Sequence, residues 1–163
     1  MNDMLFQFGE WLETMPWATA MTWADWMFPI VAAVHYFSTF LLMGTIVFFN
    51  LRLLGVAGQR QPIAQVAEEI FPWMWTGLVT ALVSGFLLFS PGAGELFRTS
   101  YFEPKLVMIA AGIGVLFVIR RKVPGWDRVT RASGATKTAG LIAIAVWFVA
   151  LLFSIQVGQF VAN

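Results

Sequence analysis

His35 is the only histidine in this chain of 163 residues, and it lies within a run from 26 to 51 that contains no formal charge. An imidazole is well suited to ligate a metal or to exchange a proton near neutral pH. In an apolar segment it is costly unless it turns toward a partner or a cavity. Three jobs are therefore open to it. It is a neutral group hydrogen-bonded inside a helix bundle, a haem or metal ligand, or a proton-handling or substrate-binding group. Thr39, Leu42, Ile46 and Asn50 follow it at helical spacing, within about 60° of it on the helical wheel. Two further polar side chains thus share its face.

The second group of candidates lies in residues 103–108, Glu-Pro-Lys-Leu-Val-Met. Met108 would complete a His/Met haem site with His35 if the two lay at one depth. Against this, the chain has 8 methionines, and a methionine in an apolar helix usually packs. Lys105 and Glu103 flank Pro104 where side chains would snorkel to the interface. An inward Lys105 beside His35 would instead form a pocket for an anion or a quinone. Trp147 is expected to fill the core. The absence of cysteine excludes disulfides, thiolate metal sites, thioether-attached haem and cysteine nucleophiles. Phosphate loops, nucleophile motifs and paired carboxylates with supporting context are also missing. No catalytic residue and no metal cluster is therefore expected.

Composition says what must position these groups. With 59% hydrophobic and 12% charged residues, the chain falls far outside the range of a soluble domain. A helix crosses a hydrocarbon core of roughly 30 Å with about 20 apolar residues, so the run from 26 to 51 is a membrane span. It closes on Asn50-Leu51-Arg52-Leu53-Leu54-Gly55, a cation near the negative helix pole followed by a glycine able to take a left-handed cap. A short amphipathic turn over 62–70 leads to a second span that ends at Ser90-Pro91-Gly92. Two ladders with a four-residue period run along it. Thr76, Thr80 and Ser84 form one, and Gly77, Ala81 and Gly85 form the other, the small-residue spacing that lets helices approach closely in lipid.

The third span has only 14 uncharged residues, 106–119, or roughly 21 Å. It crosses if Pro104 sits in the first turn and the flanking cations snorkel outward. A re-entrant hairpin would leave an odd number of crossings. The fourth span uses the uncharged stretch from 138 to the C-terminus, with Ala150, Ser154 and Gly158 as a small-residue edge. Residues 1–25 carry four acids and no lysine or arginine, with Leu5, Phe8, Leu12 and Met15 at helical spacing. They read as an amphipathic interfacial helix ended by Pro16, with Trp17, Trp23 and Trp26 in an aromatic belt. The expected fold is all-α: this outer segment over 1–25, then a domain over 26–163 that spans the membrane at about 27–51, 71–90, 102–120 and 139–161.

The quoted stretches carry a resemblance. FPIVAAVHYFSTFLLMGTIVFFNLRLLG (28–55), PIAQVAEEIFPWMWTGLVTALVSGFLLF (62–89), FEPKLVMIAAGIGVLF (102–117) and GLIAIAVWFVALLFSIQVGQFVA (140–162) resemble one family of bacterial four-span membrane proteins of unknown function. The histidine in span one, the Asn50 to Gly55 helix end and the Pro72-Trp73-Met74-Trp75-Thr76-Gly77 start of span two are its most specific parts. That family is in turn distantly similar to cytochrome-b-like and copper-resistance four-helix membrane proteins. Its pattern commonly places an acid at the position of Asn50 and a second histidine near the end of span three, where this chain has Gly114 and Val118. The departure leaves His35 without a histidine partner in its own chain.

Three functions follow as expectations. The first is an accessory or scaffolding subunit that docks in a larger membrane complex through small-residue faces. The second is a b-type haem- or quinone-contacting electron-transfer subunit using His35, Met108 and Lys105. The third is a small transporter or channel, which normally carries more intramembrane charge. The expected partners are the lipid bilayer and a protein or second copy of the chain within it, not nucleic acid. Eight cations fall in the connections on one side (Arg52, Arg60, Arg120, Arg121, Lys122, Arg128, Arg131, Lys137) and two on the other (Arg98, Lys105). The positive-inside rule therefore puts both termini outside, on the periplasmic side of a bacterial inner membrane. Accordingly, Ser133→Cys should be shielded from an impermeant thiol reagent in intact cells and Thr14→Cys labelled. Labelling of both, or the reverse, would overturn the orientation.

Overall fold

Phe37 and Phe40 sit in the middle of a long helix and are 74% and 76% exposed. Aromatic side chains placed so far from any helix end are at home in lipid and not in water. The computed structural model describes residues 2–58, 60–126 and 133–162. Among these, seven α-helices and one 3₁₀ turn carry the fold: α1 (Asn2–Glu13), α2 (Pro16–Trp23), α3 (Met27–Leu54), α4 (Ile63–Phe89), the turn Ser90–Gly92, α5 (Ala93–Arg98), α6 (Phe102–Trp126) and α7 (Gly134–Ala162). Four helical segments are long and apolar enough to cross a membrane, carried by α3, α4, α6 and α7. The chain is an all-α, multi-pass membrane protein.

The four long helices form a ring. α3 packs most extensively on α4 and also on α7, α6 packs on α7, and α4 meets α6 more sparsely. Neighbours run antiparallel, which gives an up-and-down bundle. The core follows helical spacing: Leu42, Ile46, Phe49 and Leu53 from α3 meet Phe71, Met74 and Leu78 from α4, Leu116 and Ile119 from α6, and Ala143 and Trp147 from α7. Phe49 and Phe71 meet edge to face, with ring centroids 5.1 Å apart. At the end bearing the basic connections, the Arg120 guanidinium lies over the Phe71 ring at 6.0 Å, tying α6 to α4. Gly55 caps α3 with φ 76°, and Arg52 folds back, its Nε and Nη2 donating to the Gln61 carbonyl at 3.2 and 2.7 Å. The stretch over 62–70 is no separate turn but the start of α4, which runs through Pro72 unbroken. Arg128 and Arg131 lie outside the described residues.

The opposite end is capped. Pro16 does more than stop α1: it occupies the first turn of α2, where its missing N–H costs nothing. α1 packs on α5 closely enough that a Cβ on Gly9 would lie 2.6 Å from Gly94 N. Glu13 Oε1 accepts the Gly94 N–H at 2.9 Å, and the Arg98 guanidinium covers the Phe6 ring at 4.0 Å. Trp17 Nε1 donates to Ser90 Oγ at 3.3 Å. Phe89, Phe97 and Phe102 stack beneath, with Phe89 and Phe102 near parallel at 4.7 Å.

Glycines set how near the helices come. A Cβ on Gly77 would lie 2.9 Å from Leu42 N and 3.1 Å from the Ser38 carbonyl, whereas one on Gly114 would meet nothing within 4 Å. Gly77→Ala should therefore cost about 1–3 kcal/mol as overpacking. Gly114→Ala should stay within about 0.5 kcal/mol of wild type. Unfolding titrations in mixed micelles check the difference, and equal costs would contradict this packing.

Candidate functional site

Most hydroxyls in the spanning helices bond back to their own helix. Thr45 donates to Leu41 O, Thr76 to Pro72 O, Ser84 to Thr80 O and Ser154 to Ala150 O, all between 2.6 and 2.9 Å. Ser38 and Thr39 both donate to the His35 carbonyl, at 2.9 and 2.8 Å. Such bonds satisfy a polar group in lipid without tying helices together.

His35 behaves differently. Its Nδ1 lies 3.1 Å from the Ala81 carbonyl and 3.1 Å from Ser84 Oγ, both on α4. A carbonyl can only accept, so Nδ1 carries the ring proton and donates it. Ser84 gives its own proton to the Thr80 carbonyl at 2.6 Å, which leaves its oxygen free to accept from the imidazole. This assignment makes Nε2 the bare nitrogen, an acceptor with no hydrogen-bond donor among the described residues. Among the described residues, the buried side-chain polar atoms without a partner are Asn50 Oδ1, Trp75 Nε1 and Trp147 Nε1.

The ring also has a seat. A Cβ on Gly85 would lie 2.9 Å from His35 Cε1 and 3.4 Å from Nδ1. Gly85 therefore makes room for the imidazole, while Gly77 makes room for the α3 backbone. Within that ladder, Ala81 contributes its carbonyl. The parallel ladder divides too: Ser84 is buried at the interface, Thr80 lends its carbonyl, and Thr76 is exposed.

The other candidates are placed as follows. Lys105, in the first turn of α6, is half-buried and makes no ion pair among the described residues. Met108 is half-buried about 4.5 Å further along α6. No hydrogen bond or ring contact among the described residues joins it to His35. Glu103 is exposed. Trp147 is buried with its indole against Gly112, where a Cβ would come within 2.7 Å of the ring. Asn50 is fully buried, its Nδ2 donating to the Ile46 carbonyl at 2.8 Å, and lies beside Gly140 of α7. Ala150 is buried and Ser154 half-buried, and Gly158 lies outside the residues whose side chains are described.

Sequence reasoning missed the Ala81 and Thr80 carbonyls and the seat at Gly85.

Residues 8–161 match a family described only as a family of unknown function, DUF6644. Neither the curated proteins nor the solved structures give a match.

Removing the imidazole should cost about 1–2 kcal/mol, one intramembrane hydrogen bond plus a small cavity. Gly85→Ala drives a methyl into the ring, but not once the ring is gone. The double variant Gly85→Ala/His35→Ala should therefore lose less than the sum of the single losses, by at least about 0.5 kcal/mol in a double-mutant cycle. Strict additivity would remove Gly85 from the site.

Proposed function

This chain belongs to the DUF6644 family, whose description brings no activity with it, and from the arrangement of its helices we propose that it is an accessory subunit of a larger membrane assembly. The observation behind this reading is the outward face of α6. Ala110, Ala111 and Gly114 are exposed there, and nothing approaches Gly114 within 4 Å. Lipid gains little from so thin a surface, but a neighbouring helix backbone can approach it closely. The uncharged part of α6 is also short for a bilayer, roughly 21 Å against about 30 Å, and a protein neighbour relieves that mismatch. The ladder of Gly77, Ala81 and Gly85 faces α3 and so is not the surface on offer. The bacterial inner membrane, with the basic end cytoplasmic and the capped end periplasmic, is the setting that the charge distribution favours.

Gly114→Leu tests the reading. The new side chain has space within the chain, so folding and thermal stability should stay near wild type, while the particle from a mild-detergent extract should shrink to the single chain on native gels. An unchanged assembly size for a well-folded Gly114→Leu protein would refute docking through this face.

A further inference from the structure

The joint between α4 and α6 is the least extensive of the four around the ring. Trp75 and Phe117 meet across it with ring centroids 5.0 Å apart, and Phe117 is exposed, as are Val79 and Leu82 one and two turns along α4 from Trp75. An apolar seam thus stays open to lipid. At the basic end of this seam the Arg120 guanidinium lies over the Phe71 ring at 6.0 Å. That contact engages the face of the guanidinium and leaves the N–H groups on its edge free to donate. Arg120 is exposed and has no hydrogen bond or ion pair among the described residues, and the same is true of Arg121 and Lys122 beside it. Glu68 and Glu69 of α4 are the acids described at this end, and neither comes within ion-pair distance of a described cation. Three adjacent like charges therefore repel one another without relief. They also follow an uncharged stretch of only roughly 21 Å, so they begin inside the depth of a hydrocarbon core of roughly 30 Å.

We propose that the α4–α6 seam binds an anionic phospholipid from the leaflet at the basic end, its phosphate accepting from the edge of the Arg120 guanidinium and an acyl chain running down the seam past Phe117 toward Leu82. Charge and shape select this occupant together. A guanidinium edge matches two phosphate oxygens as a fork, and the bond is strongest where water is scarce. A soluble anion would meet the charge and leave the seam to other lipid. A zwitterionic lipid would bring its own cation to a place that already holds three. The seam lies on the side of α6 that meets α4, beside the face of Ala110, Ala111 and Gly114, so the proposal is independent of docking through that face.

The test uses the full chain in mild-detergent micelles doped with equal amounts of dioleoyl phosphatidylglycerol and dioleoyl phosphatidylcholine, with the retained lipid counted by native mass spectrometry. The wild-type chain should retain phosphatidylglycerol over phosphatidylcholine by about tenfold. Arg120→Gln, shown to be folded by circular dichroism, should cut that preference about fivefold, the worth of one cation beside an anionic head group. Lys137→Gln removes an exposed cation of α7 at the same end and should leave the preference within about twofold of wild type. Inorganic phosphate in large excess should not displace the lipid, because it has no chain to lie in the seam. Equal retention of the two lipids by the wild-type chain overturns the proposal without recourse to any variant. So do equal losses in Arg120→Gln and Lys137→Gln, which would spread the preference over the whole basic end, or displacement by phosphate, which would assign Arg120 to a free anion.

Discussion

Among the described residues, the side-chain hydrogen bonds that cross between two spanning helices are those of the His35 ring, to the Ala81 carbonyl and to Ser84 Oγ. In water such a bond would trade evenly against solvent. Within hydrocarbon there is no solvent to compete, and the alternative is an exposed polar ring. The bond also consumes a carbonyl that already serves the α4 backbone, so it adds a tie without unwinding the helix. Depth and rotation of α3 against α4 are set together by this contact: sliding either helix by one residue removes the acceptor, and turning either one drives the ring into the Gly85 backbone.

Shape supports what this bond specifies. Van der Waals contact between lipid and helix is nearly as good as contact between helices, so association in a bilayer depends on how closely backbones approach. Gly77 brings α4 to the Leu42 backbone, and Gly112 lets the Trp147 indole lie flat on α6. These contacts fall on opposite pairs of the ring, α3 with α4 and α6 with α7, which are also the two most extensive pairs. The joints between the pairs differ: Phe71 and Arg120 meet between α4 and α6, whereas Gly140 of α7 lies against Asn50 and Leu53 of α3.

Much of this was legible in the sequence because lipid imposes simple rules. Uncharged runs of sufficient length marked three spans and snorkelling cations extended the third, a lone histidine in such a run marked itself, and Gly55 behind Arg52 read as a helix end and is one. The short helices α2 and α5 were not legible, since a helix of 8 or 6 residues has no periodicity to read and Pro16 signals a stop and a start alike. Nor could spacing say that Gly77 and Gly85 serve different neighbours. Along α4 they are equivalent, and only the chain opposite distinguishes a backbone from a ring. Backbone acceptors such as Ala81 O leave no trace in residue identity at all.

The Arg52 clamp on Gln61 has a consequence for biogenesis. With the connection closed by that clamp at one end and the imidazole in place at the other, the α3–α4 hairpin holds all of its internal ties by residue 89. None of those ties needs a residue of α6 or α7, so the first hairpin can close without waiting for the second and can then serve as the surface on which it packs.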